Sequence, residues 1–243
     1  LVFEVANGID IILNAGNVIG QSRHDFIMVD EDTPYFAVVD GDVDDFETPT
    51  ETVHGTACQD FVFADLTNDD YDEIICRSSG TTWSVFRGGP AFNQTPIATF
   101  VSGSSATVAV EHGPQGPGLW FEHSGTVLFA PFSLGTIDVA SDATSVIDVD
   151  GDVYAAPRCD NPSQYDCVVV DYDDEQRILA FVAPAPGVFD AADALVDITA
   201  GPGSIIGALD ALVDMDGDGE DDIPILEVMN TGTEIPYLAG PID

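Results

Sequence analysis

The segment LVDMDGDGEDDIPILEV, Leu212 to Val228, sets Asp214, Asp216, Asp218 and Asp222 at alternate or near-alternate positions just before an apolar run. Like charges held so close repel, so the bare loop is unfavourable unless something positive sits inside it. Oxygen donors at loop positions 1, 3, 5 and 9, with the Glu220 main-chain carbonyl at position 7, suit one hard divalent cation, Ca2+. Gly217 and Gly219 permit the tight curl. An EF-hand would need a bidentate Glu at position 12 between two helices, but Ile225 stands there, and Pro224 and Pro236 lie in a stretch with no helical period. The expectation is a calcium loop that opens a β-hairpin.

The same arrangement recurs upstream. FVFADLTNDDYDEIIC offers Asp65, Thr67, Asp69, the Tyr71 carbonyl and Glu73 at positions 1, 3, 5, 7 and 9, followed by strand-like EIIC and, after RSSG, TTWSVF. SVIDVDGDVYAAP offers Asp148, Asp150 and Asp152, with the position-9 acid displaced by an insertion to Asp166, directly before CVVVDY. HDFIMVDEDTPYFAVV and GLWFEHSGTVLFAPF carry the hairpin without a complete loop. Asp40, Asp42 and Asp44 follow a hairpin instead of preceding one and read as a solvated turn.

Hairpin starts fall near Asp25, Glu73, Gly118, Asp166 and Asp222, separated by 48, 45, 48 and 56 residues. Hairpins at 25–39, 73–86, 118–132, 166–182 and 222–238 thus divide residues 1–243 into about five repeats of one all-β domain. A period near 48 with Gly/Pro/Ser-rich connectors and no amphipathic helix predicts a β-propeller-like array, with a β-sandwich as the alternative. LVFEVANGIDIIL reads as a further hairpin across Asn7-Gly8, a candidate outer strand for the last repeat.

The strand–DxDGDGxxD–strand pattern, sharp at Asp214–Ile223 and looser at Asp65–Ile74, resembles the FG-GAP or VCBS repeats of integrin α-chain-like β-propellers. The second loop departs from it with Thr67, Glu73 and Asp70 where Gly is usual, and the third departs by its insertion. The resemblance implies extracellular, often adhesive domains whose loops bind Ca2+; fold alone does not assign a role.

Composition bounds the partners. The chain carries 44 acidic residues, 33 Asp and 11 Glu, against five Arg and no Lys. Nucleic acid and anionic membrane both call for basic patches and are excluded as partners. No apolar run reaches membrane-spanning length, so no membrane insertion is expected. The acid left over by calcium loops reads as a solubilising surface suited to high salt. At 45% hydrophobic the chain can bury a core. The start at Leu1 reads as a mature or trimmed form.

Cys58, Cys76, Cys159 and Cys167 show no CxxC pattern, and their even number points to two disulfides and a secreted or cell-surface setting, with free thiols in a cytosolic protein as the alternative. Three connectivities are open; the local one, Cys58–Cys76 and Cys159–Cys167, would staple each loop region to its own hairpin. His24, His54, His112 and His123 are scattered and no GxSxG or HExxH occurs. Trp83, Trp120 and Phe121 lie in strand-like runs and read as core. Asn93-Gln94-Thr95 is a glycosylation sequon.

The expected function is therefore a non-enzymatic calcium-binding module for adhesion or extracellular assembly, with a protein, a glycan or further copies of itself as partner. The alternatives are a polysaccharide lyase, poorly served by five Arg, and a carbohydrate-binding module.

Overall fold

The computed structural model describes residues 11–19, 25–30, 35–40, 51–54, 58, 60–90, 92–93, 95–103, 108–113, 115–156, 167–172, 176–182, 186–200, 204–208, 223–229 and 234–239. The first strands are β1 (Ile11–Asn14), β2 (Phe26–Asp30), β3 (Tyr35–Val39) and β4 (Glu51–His54), then β5 (Phe61–Ala64), β6 (Glu73–Ser79), β7 (Thr82–Phe86) and β8 (Ala98–Val101). The middle of the chain supplies β9 (Val108–Gly113), β10 (Gly116–His123), β11 (Thr126–Pro131), β12 (Gly135–Asp138) and β13 (Ser145–Ile147). The last strands are β14 (Asp152–Ala156), β15 (Cys167–Tyr172), β16 (Arg177–Val182), β17 (Gly187–Phe189), β18 (Val196–Thr199), β19 (Ser204–Ala208), β20 (Ile223–Met229) and β21 (Glu234–Ala239). The helical pieces among these residues are one turn, α1 (Val139–Asp142), and a 3-10 turn at Ala191–Asp193. None is long and apolar enough to cross a membrane.

The strands form five sheets, in the orders β1-β2-β3-β4, β12-β8-β7-β6-β5, β17-β13-β11-β10-β9, β14-β15-β16-β18 and β19-β20-β21. Consecutive strands pair antiparallel around the hairpins β2–β3, β6–β7, β10–β11, β15–β16 and β20–β21. β6 runs to Ser79 across a register shift, so the turn is Gly80-Thr81 and only the Gly of the RSSG that the sequence suggests belongs to it. β1 pairs with β2 of the first sheet, Asn14 opposite Phe26, and so is not an outer strand of the last; residues 1–10 lie outside the described residues.

Two connections repeat a device that short-range patterning did not reveal. After β11 the chain adds β12 to the second sheet, makes α1 and returns as β13 of the third. After β16 it adds β17, parallel to β13, to the third sheet, makes the 3-10 turn and returns as β18 of the fourth. Asp138 caps the first turn and Asp190 the second, each through its side chain.

The described structure divides into two compact units, one of Leu1–Val101 with Ser133–Ile137 and one of Ser102–Phe132 with Asp138–Asp243. In the first, Ile27, Phe36 and Val38 pack against Ile74, Cys76 and Phe86 of the second sheet. Phe36 meets Phe61 and Phe86 edge to face. In the second, Trp120, Val127 and Phe129 pack against Val153, Val168, Val170, Leu179 and Phe181 of the fourth sheet. Trp83, Trp120 and Phe121 are all buried.

Cys58 and Cys76 form a disulfide that closes 18 residues of chain and ties the segment before β5 to β6. Cys167 is also disulfide-bonded, and Cys159 lies outside the described residues. Replacing Cys58 and Cys76 together by Ala should cost about 2–3 kcal/mol, the loop entropy restored to the unfolded chain. A thermal melt beside the unaltered protein reads this as a drop of about 5 °C or more.

Candidate functional site

The loop from Asp65 to Glu73 joins β5 to β6, the first two strands of its meander, and Glu73 is the first residue of β6. An acid there faces inward because the strand that follows, EIIC, is buried throughout. Glu73 itself has no exposed surface. Its Oε2 accepts the main-chain N–H groups of Leu66 at 2.7 Å and Thr67 at 3.0 Å, and its Oε1 accepts the Thr67 hydroxyl at 3.3 Å. Burial nevertheless pushes its carboxyl up to about 7, outweighing those N–H groups and a further one from Gly88, while the charge of Asp69 pushes the same way.

Asp65 occupies the other end of the loop. Its two oxygens accept the N–H groups of Asp69 at 3.1 Å and Asp70 at 2.9 Å, an Asx-type knot that closes the turn. Asn68 and Asp70 are left-handed, with φ of 56° and 69°, a conformation that Asn and Asp tolerate better than other side chains. The Asp69 Oδ1 accepts the Tyr71 N–H, and its Oδ2 receives Arg87 Nη2 at 2.8 Å and Nε at 3.3 Å. Arg87 holds the Asp69 carboxyl below the usual range, aided by the Tyr71 and Thr67 donors. Thr67 thus reaches both Asp69 and Glu73 with one hydroxyl.

Asp70 and Asp72 serve a different purpose. The Asn17 N–H donates to Asp72 Oδ2 at 2.7 Å, Asn17 Nδ2 donates to the Asp70 carbonyl at 2.6 Å, and the Asp72 N–H donates to the Asn17 carbonyl at 2.8 Å. These bonds dock the β1–β2 connection on the β5–β6 loop. The approach is close: a Cβ on Gly88 would meet the Asp72 and Val18 carbonyls.

Asp25, which sequence reasoning passed over as a site residue, stands directly before the second strand of its sheet, one place ahead of the position that Glu73 takes as the first residue of β6. It is fully buried, and its Oδ2 accepts the Ile19 N–H at 2.6 Å. The signal was present in the spacing, since Asp25, Glu73, Asp166 and Asp222 all mark hairpin entries. A buried acid that gathers the N–H groups of the preceding loop is thus the element shared by Asp25 and Glu73.

Asp148 and Asp150 lie between β13 and β14, and Asp152 opens β14, the first strand of the fourth sheet. That is one strand ahead of the hairpin; the connection matching the Asp65–Glu73 loop is 157–166, which lies outside the described residues together with Asp166. Glu122 sits near Asp152 and Asp150, and its carboxyl is raised, chiefly by burial and then by those two charges. Gly151 is required without any unusual φ: a Cβ there would collide with the Asp171 carbonyl. Asp214, Asp216, Asp218, Glu220 and Asp222 lie outside the described residues, but the flanking β19 and β20 place their segment between the first two strands of the fifth sheet, the topological position of Asp65–Glu73.

The Asp65–Glu73 donor set is all oxygen, which fits a hard cation. Each Asp65 oxygen accepts one N–H and keeps a second lone pair, so cation binding there is compatible with the loop's hydrogen bonds; Glu73 Oε2 is taken by two N–H groups, which leaves Oε1, bonded to the Thr67 hydroxyl, as its less committed oxygen. Among the described residues no three His, Cys, Asp or Glu groups converge on a common point for a metal ion.

The three described arginines are each paired with an aspartate. Arg77 pairs with Asp60 and lies 6.0 Å from the Trp83 ring centre, Arg87 pairs with Asp69, and Arg177 pairs with Asp197. Arg23 and Arg158 lie outside the described residues.

No protein family profile and no curated relative matches the chain. Among solved structures it is similar to dihydro-heme d1 dehydrogenase NirN in complex with DHE, at 11% identity and TM-score 0.53, over 90% of this chain and 46% of that one. Hsv2 of Kluyvelomyces marxianus matches at 12% identity and TM-score 0.47, covering 89% of this chain and 60% of that one. BBS1N in complex with ARL6DN matches at 13% identity and TM-score 0.49, covering 95% and 68%. The chain spans about half the length of NirN. NirN is a β-propeller protein, and the likeness, with the succession of antiparallel sheets, makes this chain an all-β, β-propeller-like array. It shows the fold and nothing of the chemistry.

Proposed function

We propose that the chain is a secreted, non-enzymatic, calcium-stabilised propeller module of the FG-GAP/VCBS kind, used in surface adhesion or extracellular assembly. One observation carries the reading: a buried carboxylate, Glu73, stands at the entry to a hairpin, bonded to Thr67 of a loop that also holds Asp65 and Asp69. A divalent ion there would offset the burial of Glu73 and the repulsion among its neighbours, so that binding energy becomes folding energy. The Asp148–Asp152 and Asp214–Asp222 segments would hold further ions. The disulfide is compatible with an oxidising, extracellular setting.

Five Arg and no Lys, with Arg77, Arg87 and Arg177 each paired to an aspartate among the described residues, weigh against a lyase for anionic glycans, which would need free cationic groups beside a base. The burial of Trp83, Trp120 and Phe121 weighs against an aromatic sugar platform. Partners are then a cell-surface protein or glycan, or copies of the chain itself.

Sedimentation velocity in millimolar calcium and in EDTA, with a binding screen on immobilised glycans and a depolymerisation assay on the same glycans, tests the role. Calcium-dependent self-association or glycan retention without chain cleavage is expected. Cleavage of a glycan would replace the module by an enzyme.

A further inference from the structure

Arg87 follows β7 directly, and the β6–β7 register sets Phe86 opposite Ile74, so the hairpin carries Arg87 back beside Glu73 at the loop it leaves. Two guanidinium nitrogens meet one oxygen of Asp69, at 2.8 and 3.3 Å, while the other oxygen is held by the Tyr71 N–H. The Arg87 side chain is 57% exposed, so it can swing into water at small cost. Arg77, the other described arginine of the second sheet, pairs with Asp60, which lies before β5 and outside the loop. A divalent ion and a guanidinium on one carboxylate repel each other, and the loop oxygen that calcium would take at position 5 is the one Arg87 caps.

We propose that Arg87 is the loop's resident counter-ion, displaced from Asp69 when a divalent cation binds, and thereby the residue that sets this loop's cation affinity. The proposal rests on the calcium reading of Asp65–Glu73. Asp69 and Glu73 supply the negative field around Arg87 in which the exchange takes place, one positive group leaving as another enters. Removing Arg87 takes away the competitor, so the ion binds more tightly while the metal-free loop loses its tether.

The test uses the full chain and terbium, a luminescent stand-in for calcium sensitised by nearby tyrosine. The part of the signal lost in Tyr71→Phe belongs to this loop. In Arg87→Gln that part should reach half-saturation at about three- to ten-fold lower terbium than in the unaltered chain, and Arg87→Lys should fall between. The Arg87 Nε–H resonance of the unaltered chain should also shift as calcium is added, a readout that needs no variant. A Tyr71-dependent signal that calcium competes away, but with equal half-saturation in all forms and a stationary Arg87 resonance, overturns the displacement and leaves the calcium loop standing. Absence of any Tyr71-dependent, calcium-competed signal overturns the calcium loop itself.

Discussion

Metal-free protein moved from pH 8 to pH 5 should gain stability from Glu73, by about 2.5 kcal/mol, most of the full shift. Glu73 prefers its neutral form in the folded chain up to about pH 7, whereas the unfolded chain ionises it near 4.5. Between those values folding takes up a proton. The burial penalty is therefore absent below about pH 4.5, grows through the window and is complete above about pH 7. Glu122, also raised by burial, adds in the same direction. Asp69 and Asp197, held low by Arg87 and Arg177, titrate below this window and oppose only at more acid pH. Urea unfolding at a series of pH values in EDTA checks the prediction, with Glu73→Gln as the control that should flatten the slope. Saturating calcium should flatten it too, because a cation beside Glu73 favours the charged form. A slope that calcium leaves unchanged would separate Glu73 from any metal.

The second large effect is the ion itself. A ligand that binds only the folded chain stabilises it by about 2.7 kcal/mol at a hundred times its dissociation constant and about 4 kcal/mol at a thousand times, for each site. Asp65→Asn should cut the share of this loop by weakening a ligand while keeping an acceptor for one of the two N–H groups, of Asp69 and Asp70, that Asp65 holds. Asp25→Asn, at the corresponding hairpin entry but in a connection with no other acid, should leave the calcium increment unchanged. Denaturant melts of both variants with and without calcium make the comparison. Equal loss of the increment in both would mean that the acids act only as acceptors for loop N–H groups.

The hairpins were legible because apolar runs such as FIMV/YFAVV or CVVVDY/RILAFV stand on either side of turn residues, a signal carried by adjacent chain. β12 and β17 were not, because GTID and GVF are short, largely exposed strands. Their partners lie far back along the chain, and no local period marks them. The Asp65–Glu73 loop was legible from alternating acids, yet its cation partner within the chain was not: Arg87 is brought to Asp69 only by the register of β6 and β7. Asp148–Asp152 shows the converse. Its DVDGD motif reads like a hairpin entry, and only the sheet order reveals that β14 intervenes before the hairpin. Asp25 was overlooked because its connection holds no other carboxylate, although its burial and its bond to Ile19 parallel those of Glu73.

The central claim is that the acidic loops are folded around calcium. Its most direct test is the metal content of the native protein by mass spectrometry, taken with thermal melts in millimolar calcium and in excess EDTA. More than one tightly held calcium ion, with a melting temperature that falls by 10 °C or more on chelation, on the order expected for several kcal/mol, is the predicted result. Calcium-free protein with superimposable melts would contradict it. The acid runs would then be solvated turns closed by their own N–H groups and by Arg87.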